Sequence, residues 1–329
     1  MIRCALLSRW HVHANDYARD AKANAHLEIA AVWDESPQRG SAWAIELGVP
    51  FYEDLDALLA SDSIDAVIIA TPTNMHKDVM MRAARQGKHI FTEKVLGLTV
   101  AECEDVFQAV DAAGIHFMIS LPRLTDPTYL YAQEVIGRGE LGDLQSVRCR
   151  LAHNGALPYE DHPHGWLPAH FFDPITCGGG ALIDLGAHPI YLTNRLAGPA
   201  TAVTARFRYG LGHAVEDQAV VIVEYANGAL GILEAGFTSG SSPFLLEIHG
   251  TQGSILVEDG SLRLKSPMTE QKWHPVVLPP AIARPIEQWA NAIQSGTTPT
   301  ITRQDALWLT RINEAAAASH ASGTRITLG

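Results

Sequence analysis

The stretch Asp65-Ala66-Val67-Ile68-Ile69-Ala70-Thr71 constrains this chain more than any other. It is an almost uninterrupted apolar run, the pattern of a strand buried on both faces of a parallel sheet. Strand-like and helix-like segments alternate around it. Short apolar strands are expected at Ile2 to Leu7, Leu27 to Val32, His89 to Thr92 and Ile115 to Ile119. Helices are expected over Ala14 to Ala25, Gln38 to Leu47 and His76 to Gln86, and after a capping box made by Thr99 and Glu102. Gly48 and Gly114 stop two of them, the first with Pro50 close behind. This order specifies an α/β fold built on a right-handed, doubly wound parallel sheet. Ligands of such sheets lie beyond the carboxyl ends of the strands, so the segments after Leu7, Asp34, Thr71 and Thr92 should line one crevice.

The character changes after Leu121. A helix over Pro127 to Gly139 is followed mainly by strands, from Leu144 to Val257, and two helices, Pro285 to Gln294 and Gln304 to Ala321, close the chain. Asn227-Gly228 between two strands signals a type I′ hairpin. Val220 to Tyr225 alternates so weakly that its sheet is expected to be covered on both sides. We therefore place a nucleotide-type domain at residues 1–121. Residues 122–329 form an α+β domain with a large, mostly antiparallel open sheet, expected to bind substrate and to carry the oligomer contact.

Composition sets limits on partners. The chain has 329 residues, enough for two cores, with 47% hydrophobic and 18% charged residues. Its formal net charge of -12 would repel a nucleic-acid backbone. The four cysteines, Cys4, Cys103, Cys149 and Cys177, show no CxxC spacing, as expected of reduced thiols in the cytoplasm. No run has the length of a membrane span, and no signal-peptide pattern opens the chain.

Chemistry concentrates in Gly178-Gly179-Gly180-Ala181-Leu182-Ile183-Asp184-Leu185-Gly186-Ala187-His188. Three glycines permit a close backbone approach, and one helix is expected to run on from them to Gly198-Pro199. Asp184 and His188 then lie one turn apart on one face. A carboxylate and an imidazole so placed make an acid–base pair, although the spacing alone equally permits a structural Asp near a helix start.

The turn after the first strand is unusual. Where a dinucleotide fold turns on G-x-G-x-x-G, this chain has Ser8-Arg9-Trp10-His11-Val12-His13, without glycine. Ser8 and Arg9 could still contact phosphate through side chains. Asp34, ending the second strand, stands where a carboxylate binds a ribose 2′-hydroxyl, which favours NAD over NADP.

Several motifs coincide: Thr71-Pro72-Thr73-Asn74-Met75-His76, Thr92-Glu93-Lys94, the triple-glycine stretch, and Gly137 to Leu144. Together they resemble the glucose–fructose oxidoreductase/inositol dehydrogenase (Gfo/Idh/MocA) family. The resemblance implies a Rossmann-type first domain and NAD(P)-dependent oxidation or reduction of sugars and polyols. It also implies that Lys94, Asp184 and His188 are the catalytic trio. Ser8, Arg9, Trp10, His11, Asp34, Arg39, Thr71, Pro72, Asn74, His76, Glu93 and Lys94 become cofactor-binding candidates. Val95 departs from the proline that usually follows the Glu-Lys pair. Substrate candidates are Arg123, His153, Tyr159, His164, Trp166 and His170, with Trp166 as a wall for a sugar ring or a core tryptophan. His162, His164 and His170 admit a metal-ligand reading or that of a polar, aromatic sugar-binding loop; no metal site is assigned.

In the chemistry so implied, His188 removes the hydroxyl proton, Lys94 holds the developing alkoxide and Asp184 orients His188 or binds a neighbouring hydroxyl. The alternatives are a cofactor-binding sensor that no longer turns over, and a redox-neutral, NAD-assisted elimination on a sugar. A homodimer or homotetramer is expected, with no membrane or nucleic-acid partner.

Overall fold

A computed structural model of the chain describes residues 1–163, 165–240 and 244–329. The described residues divide into two units.

The first unit comprises Met1–Leu121 and Ala283–Leu307. Its strands are β1 (Ile2–Leu7), β2 (Leu27–Trp33), β3 (Phe51–Tyr52), β4 (Ala66–Ile69), β5 (His89–Thr92) and β6 (Phe117–Ile119). They form one parallel sheet in the order β3-β2-β1-β4-β5-β6. The order reverses between β1 and β4, and the carboxyl ends of these two strands bound the ligand crevice of a doubly wound fold. The helices are α1 (Ala14–Ala23), α2 (Pro37–Leu47), α3 (Leu55–Leu59), α4 (His76–Arg85) and α5 (Val100–Ala113). β4 is buried at every position, as its apolar run requires. Thr99 caps α5 by accepting from Glu102 N at 3.2 Å, while the Glu102 carboxylate accepts from Leu98 N. Gly48 and Gly114 end α2 and α5 at φ of 73° and 62°, a backbone region that suits glycine.

The second unit comprises Pro122–Ile282 and Trp308–Gly329. It opens with α6 (Pro127–Gly137) and β7 (Leu144–Ala152), then α7 (Pro174–Cys177), α8 (Ala181–Asp184) and α9 (Ala187–Ala197). β8 (Ala200–Arg208), β9 (Gln218–Tyr225), β10 (Leu230–Gly236), β11 (Leu245–Gly250), β12 (Ser254–Glu258), β13 (Ser261–Lys265) and β14 (His274–Pro275) follow. After them come α10 (Pro285–Ser295), which belongs to the first unit, α11 (Arg303–Ser322), and β15 (Ile326–Thr327). The nine-stranded sheet runs β14-β13-β12-β11-β7-β10-β9-β8-β15 and is antiparallel except where β10 lies parallel to β7. α9 is buried at every position but Arg195 and packs against β7 and β10.

Three expectations change. Residues 283–307, assigned by sequence to the second domain, belong to the first unit. There Trp289 of α10 is fully buried, with its ring 5.7 Å from Phe91 of β5. The β9–β10 connection is a three-residue loop rather than a type I′ turn. Tyr225 N donates to Ala229 O and Gly228 takes φ 88°, since a single left-handed residue after a type I turn also closes a hairpin. The β9–β10 region is packed on one face only. Val221, Val223 and Tyr225 are buried, while Val220 and Ile222 on the other face remain 46% and 45% exposed.

Candidate active site

In the first unit the glycine-free turn is built from side chains. Ser8 takes the left-handed conformation, φ 75°, that a glycine would ordinarily fill. Its hydroxyl accepts from Trp10 N at 3.0 Å, and Arg9 N donates to Asp34 Oδ2 at 2.8 Å. His11 N donates to Ala70 O at 3.1 Å, tying the turn to the end of β4. These backbone amides are therefore engaged within the protein. The Arg9 guanidinium reaches Asn15 and Glu46 and lies over the Trp43 ring.

Asp34 is buried and accepts four hydrogen bonds. They come from Arg9 N, from Ser36 N at 2.8 Å, and from Arg39 Nε and Nη2 at 2.9 and 2.7 Å. Arg39 also pairs with Glu35, so two carboxylates surround one guanidinium and leave the corner with net negative charge. At the end of β4 the buried Thr71 hydroxyl has no hydrogen-bond partner, while Asn74 is exposed. His76 is directed elsewhere. Its Nδ1 donates to Val95 O at 2.7 Å and its Nε2 lies 3.2 Å from Thr71 O, so it braces β4 against the segment after Lys94. Burial lowers its pKa, keeping the ring neutral. Glu93 and Lys94, at the end of β5, are both buried, and the peptide joining Lys94 to Val95 is cis.

Residues at these strand ends fit a dinucleotide. The Thr71 hydroxyl at the end of β4 is buried without a partner, a polar atom open to a ligand, and the Asp34 corner closes the end of β2. The fit differs from a glycine turn in one respect, since Arg9 N and Trp10 N point inward at Asp34 and Ser8.

In the second unit Gly178-Gly179-Gly180 leads into two short helices rather than one. α8 ends at Asp184, and α9 begins at Ala187. Gly186 makes the break possible, because a Cβ there would lie 2.5 Å from Leu182 O. Asp184 and His188 are thus placed on successive helices. His188 is buried and its Nδ1 is 2.7 Å from the Tyr191 hydroxyl, which also accepts from Arg123 N at 3.3 Å. Burial holds the Tyr191 phenol well above its ordinary pKa, so it stays protonated. Glu216 secures the triple-glycine turn, accepting from Gly180 N at 3.0 Å and Leu182 N at 2.9 Å. Gly180 admits no side chain, since a Cβ would lie 2.1 Å from Glu216 O. Tyr191 and Glu216 are the positioning residues that sequence reading missed. The i, i+3 spacing of His188 and Tyr191 carries the signal for the first; Glu216 has none.

The expected substrate loop assembles aromatic rings. His153 stacks on Phe237 at 5.4 Å and 13°, and Trp166 packs against His153 at 4.6 Å. Trp166 is 44% exposed and its Nε1 donates to Asn154, which makes it a surface ring rather than a core residue. His170 contacts Phe171, and Tyr159 pairs with His162 through reciprocal backbone bonds. The Arg123 guanidinium lies 4.5 Å over Phe244. His164 lies outside the described residues.

Comparison with known proteins agrees with this construction. A pattern described as "Oxidoreductase family, NAD-binding Rossmann fold" matches residues 10–121, and "GFO/IDH/MocA C-terminal domain" matches residues 129–256. The chain is 28% identical to scyllo-inositol 2-dehydrogenase (NAD(+)) of Bacillus subtilis, covering 99% of this chain and 96% of that protein. It is 26% identical to D-xylose 1-dehydrogenase (NADP(+)) 2 of Haloferax volcanii over 93% of this chain and 94% of that one. A solved oxidoreductase domain protein from Kribbella flavida superposes with a TM-score of 0.86 at 24% identity, covering 100% of this chain and 99% of that one. With both halves matched and the strand ends arranged for a dinucleotide, this chain belongs to the Gfo/Idh/MocA family of oxidoreductases.

Proposed function

We propose that the protein is an NAD-dependent dehydrogenase acting on a carbinol of a sugar, polyol or sugar derivative. The observation that carries this is the fixed imidazole of His188, held by a neutral phenol whose oxygen also accepts from Arg123 N. Nδ1 is engaged with Tyr191, and in the tautomer protonated there the second ring nitrogen carries the lone pair a general base needs. Lys94, buried at the end of β5, hydrogen-bonds the carbinol oxygen and holds the charge that develops on it. Asp184 binds a neighbouring hydroxyl. Bound NAD supplies the hydride acceptor, with the ribose beside the Asp34–Glu35–Arg39 corner and the nicotinamide half along the Thr71 to Asn74 segment beyond β4. The names of the Bacillus and Haloferax relatives support a polyol or sugar as substrate.

The Asp34–Glu35–Arg39 corner supports NAD over NADP, because two carboxylates about one guanidinium repel a 2′-phosphate. Four buried cysteines, none in a disulfide, support a reducing cytoplasmic location. The exposed apolar side of the β9–β10 sheet supports a homo-oligomer.

Single-turnover hydride transfer, with NADH affinity measured on the same variants, tests this reading. His188→Ala should slow transfer by about 100- to 10,000-fold, and Lys94→Ala by about 100- to 1,000-fold. NADH affinity should stay close to wild type in both. Near-normal transfer in either variant overturns the assignment, and an absence of any transfer in the wild type would favour a sensor.

A further inference from the structure

His11, His13 and Glu93 meet in the first unit at the carboxyl edge of the parallel sheet. Two come from the turn after β1, and the third from the end of β5. We propose that these three side chains form a binding site for one divalent transition-metal ion, zinc by ligand chemistry. It goes beyond the dehydrogenase reading and does not depend on it.

Geometry carries the proposal. His13 Nδ1 lies 3.2 Å and His11 Nδ1 3.8 Å from the same oxygen, Glu93 Oε2. The two imidazole centroids are 4.7 Å apart, and one ligand atom from each of the three residues falls within 4.8 Å of the others. Zinc bonds of about 2.1 Å in tetrahedral geometry place ligand atoms about 3.4 Å apart, between the two measured separations. A modest inward rotation of His13, whose side chain is 40% exposed, closes the set. The ligand types, two imidazoles and a carboxylate, are those of open three-ligand zinc sites.

Burial and hydrogen bonding point the same way. The side chains of Glu93 and His11 are only 1% and 5% exposed, and burying a carboxylate is costly unless positive charge or donors surround it. His11 Nδ1 accepts from His13 N at 3.2 Å, a bond that gives way when this nitrogen takes up the ion. The Tyr17 hydroxyl donates to the same carboxylate oxygen and orients it from the other side. An ion bound here would clip the first turn to the end of β5, two strands away.

The test uses the full chain, stripped with a chelator and then dialysed. Calorimetric titration with ZnCl2 should show one ion per chain with a Kd of about 1 μM or tighter. CoCl2 should give the visible bands of a tetrahedral site. Saturating zinc should raise Tm by about 5 °C. His13→Asn, at a partly exposed position that should not impair folding, and Glu93→Gln should each weaken binding by about 100-fold or more. His162→Asn, in the other histidine-rich stretch, should leave binding unchanged. Absence of micromolar zinc binding by the wild type, or binding that His13→Asn leaves intact, overturns the site.

Discussion

At the scale of single residues, the bond between His188 Nδ1 and the Tyr191 hydroxyl holds the imidazole in one orientation. Tyr191→Phe removes that partner while keeping the buried ring on α9. One lost hydrogen bond of about 1.4 kcal/mol corresponds to about a tenfold fall in rate. We expect kcat to fall by about that factor with KM and NADH affinity unchanged, a split that steady-state kinetics reads directly. An equal rise in KM would show that Tyr191 shapes the substrate site instead. His76 contributes a pH dependence of stability. Its folded-state pKa is depressed by burial, so its contribution is present above the unfolded value near 6.5 and is lost as pH falls below it. Urea midpoints should therefore drop between pH 7.5 and 5.5, and the drop should be smaller in His76→Asn, whose amide can still donate to Val95 O.

At the scale of elements, the end of β2 governs cofactor choice. If the Asp34–Glu35–Arg39 corner meets the ribose, NADH should bind about tenfold or more tightly than NADPH by fluorescence titration. Equal affinities would remove Asp34 from that role. Elements with strong local signals were legible from sequence. Period, capping boxes and terminating glycines located β1, β2, α2, α5, β9 and α11 to within a few residues, because each signal sits inside the element it defines. The short β3, β13, β14 and β15 were missed, since two to five residues carry little periodicity of their own and are set by their partner strands. The break between α8 and α9 was missed for a related reason. An isolated Gly186 in an apolar, helix-like run gives no hint that Leu182 O will occupy the space where a side chain would go. In the candidate site, spacing drew attention to Asp184 and His188 as a pair, whereas Lys94 entered only through the family resemblance. The Glu93 cluster depends on a fold contact between residues about eighty positions apart, which no local pattern encodes.

At the scale of the whole molecule, the proposed oligomer has a defined face. Ile222 and Ile232 are directly paired across β9 and β10, with Val220 and Leu230 beside them, all outward and 37% to 47% exposed. Arg148 on the neighbouring β7 pairs with Glu234 and Glu247 on either side of it, giving an apolar centre with a charged margin. Light scattering at micromolar concentration should report a dimer or tetramer, and Ile222→Lys with Ile232→Lys should shift it to a monomer while leaving the fold intact by circular dichroism. A wild-type monomer would contradict the assignment. The split composition of the first unit has its own consequence, in the order of synthesis. Its sheet is laid down by residue 121, yet α10, whose Trp289 fills the space beside Phe91, comes from Ala283–Leu307. A nascent chain that has emerged only through the first strands holds an apolar surface whose cover has not yet been synthesised. That half cannot finish folding until nearly all of the second has been made, so a fragment cut at Leu121 should emerge incomplete and prone to aggregate rather than as an independent nucleotide-binding domain.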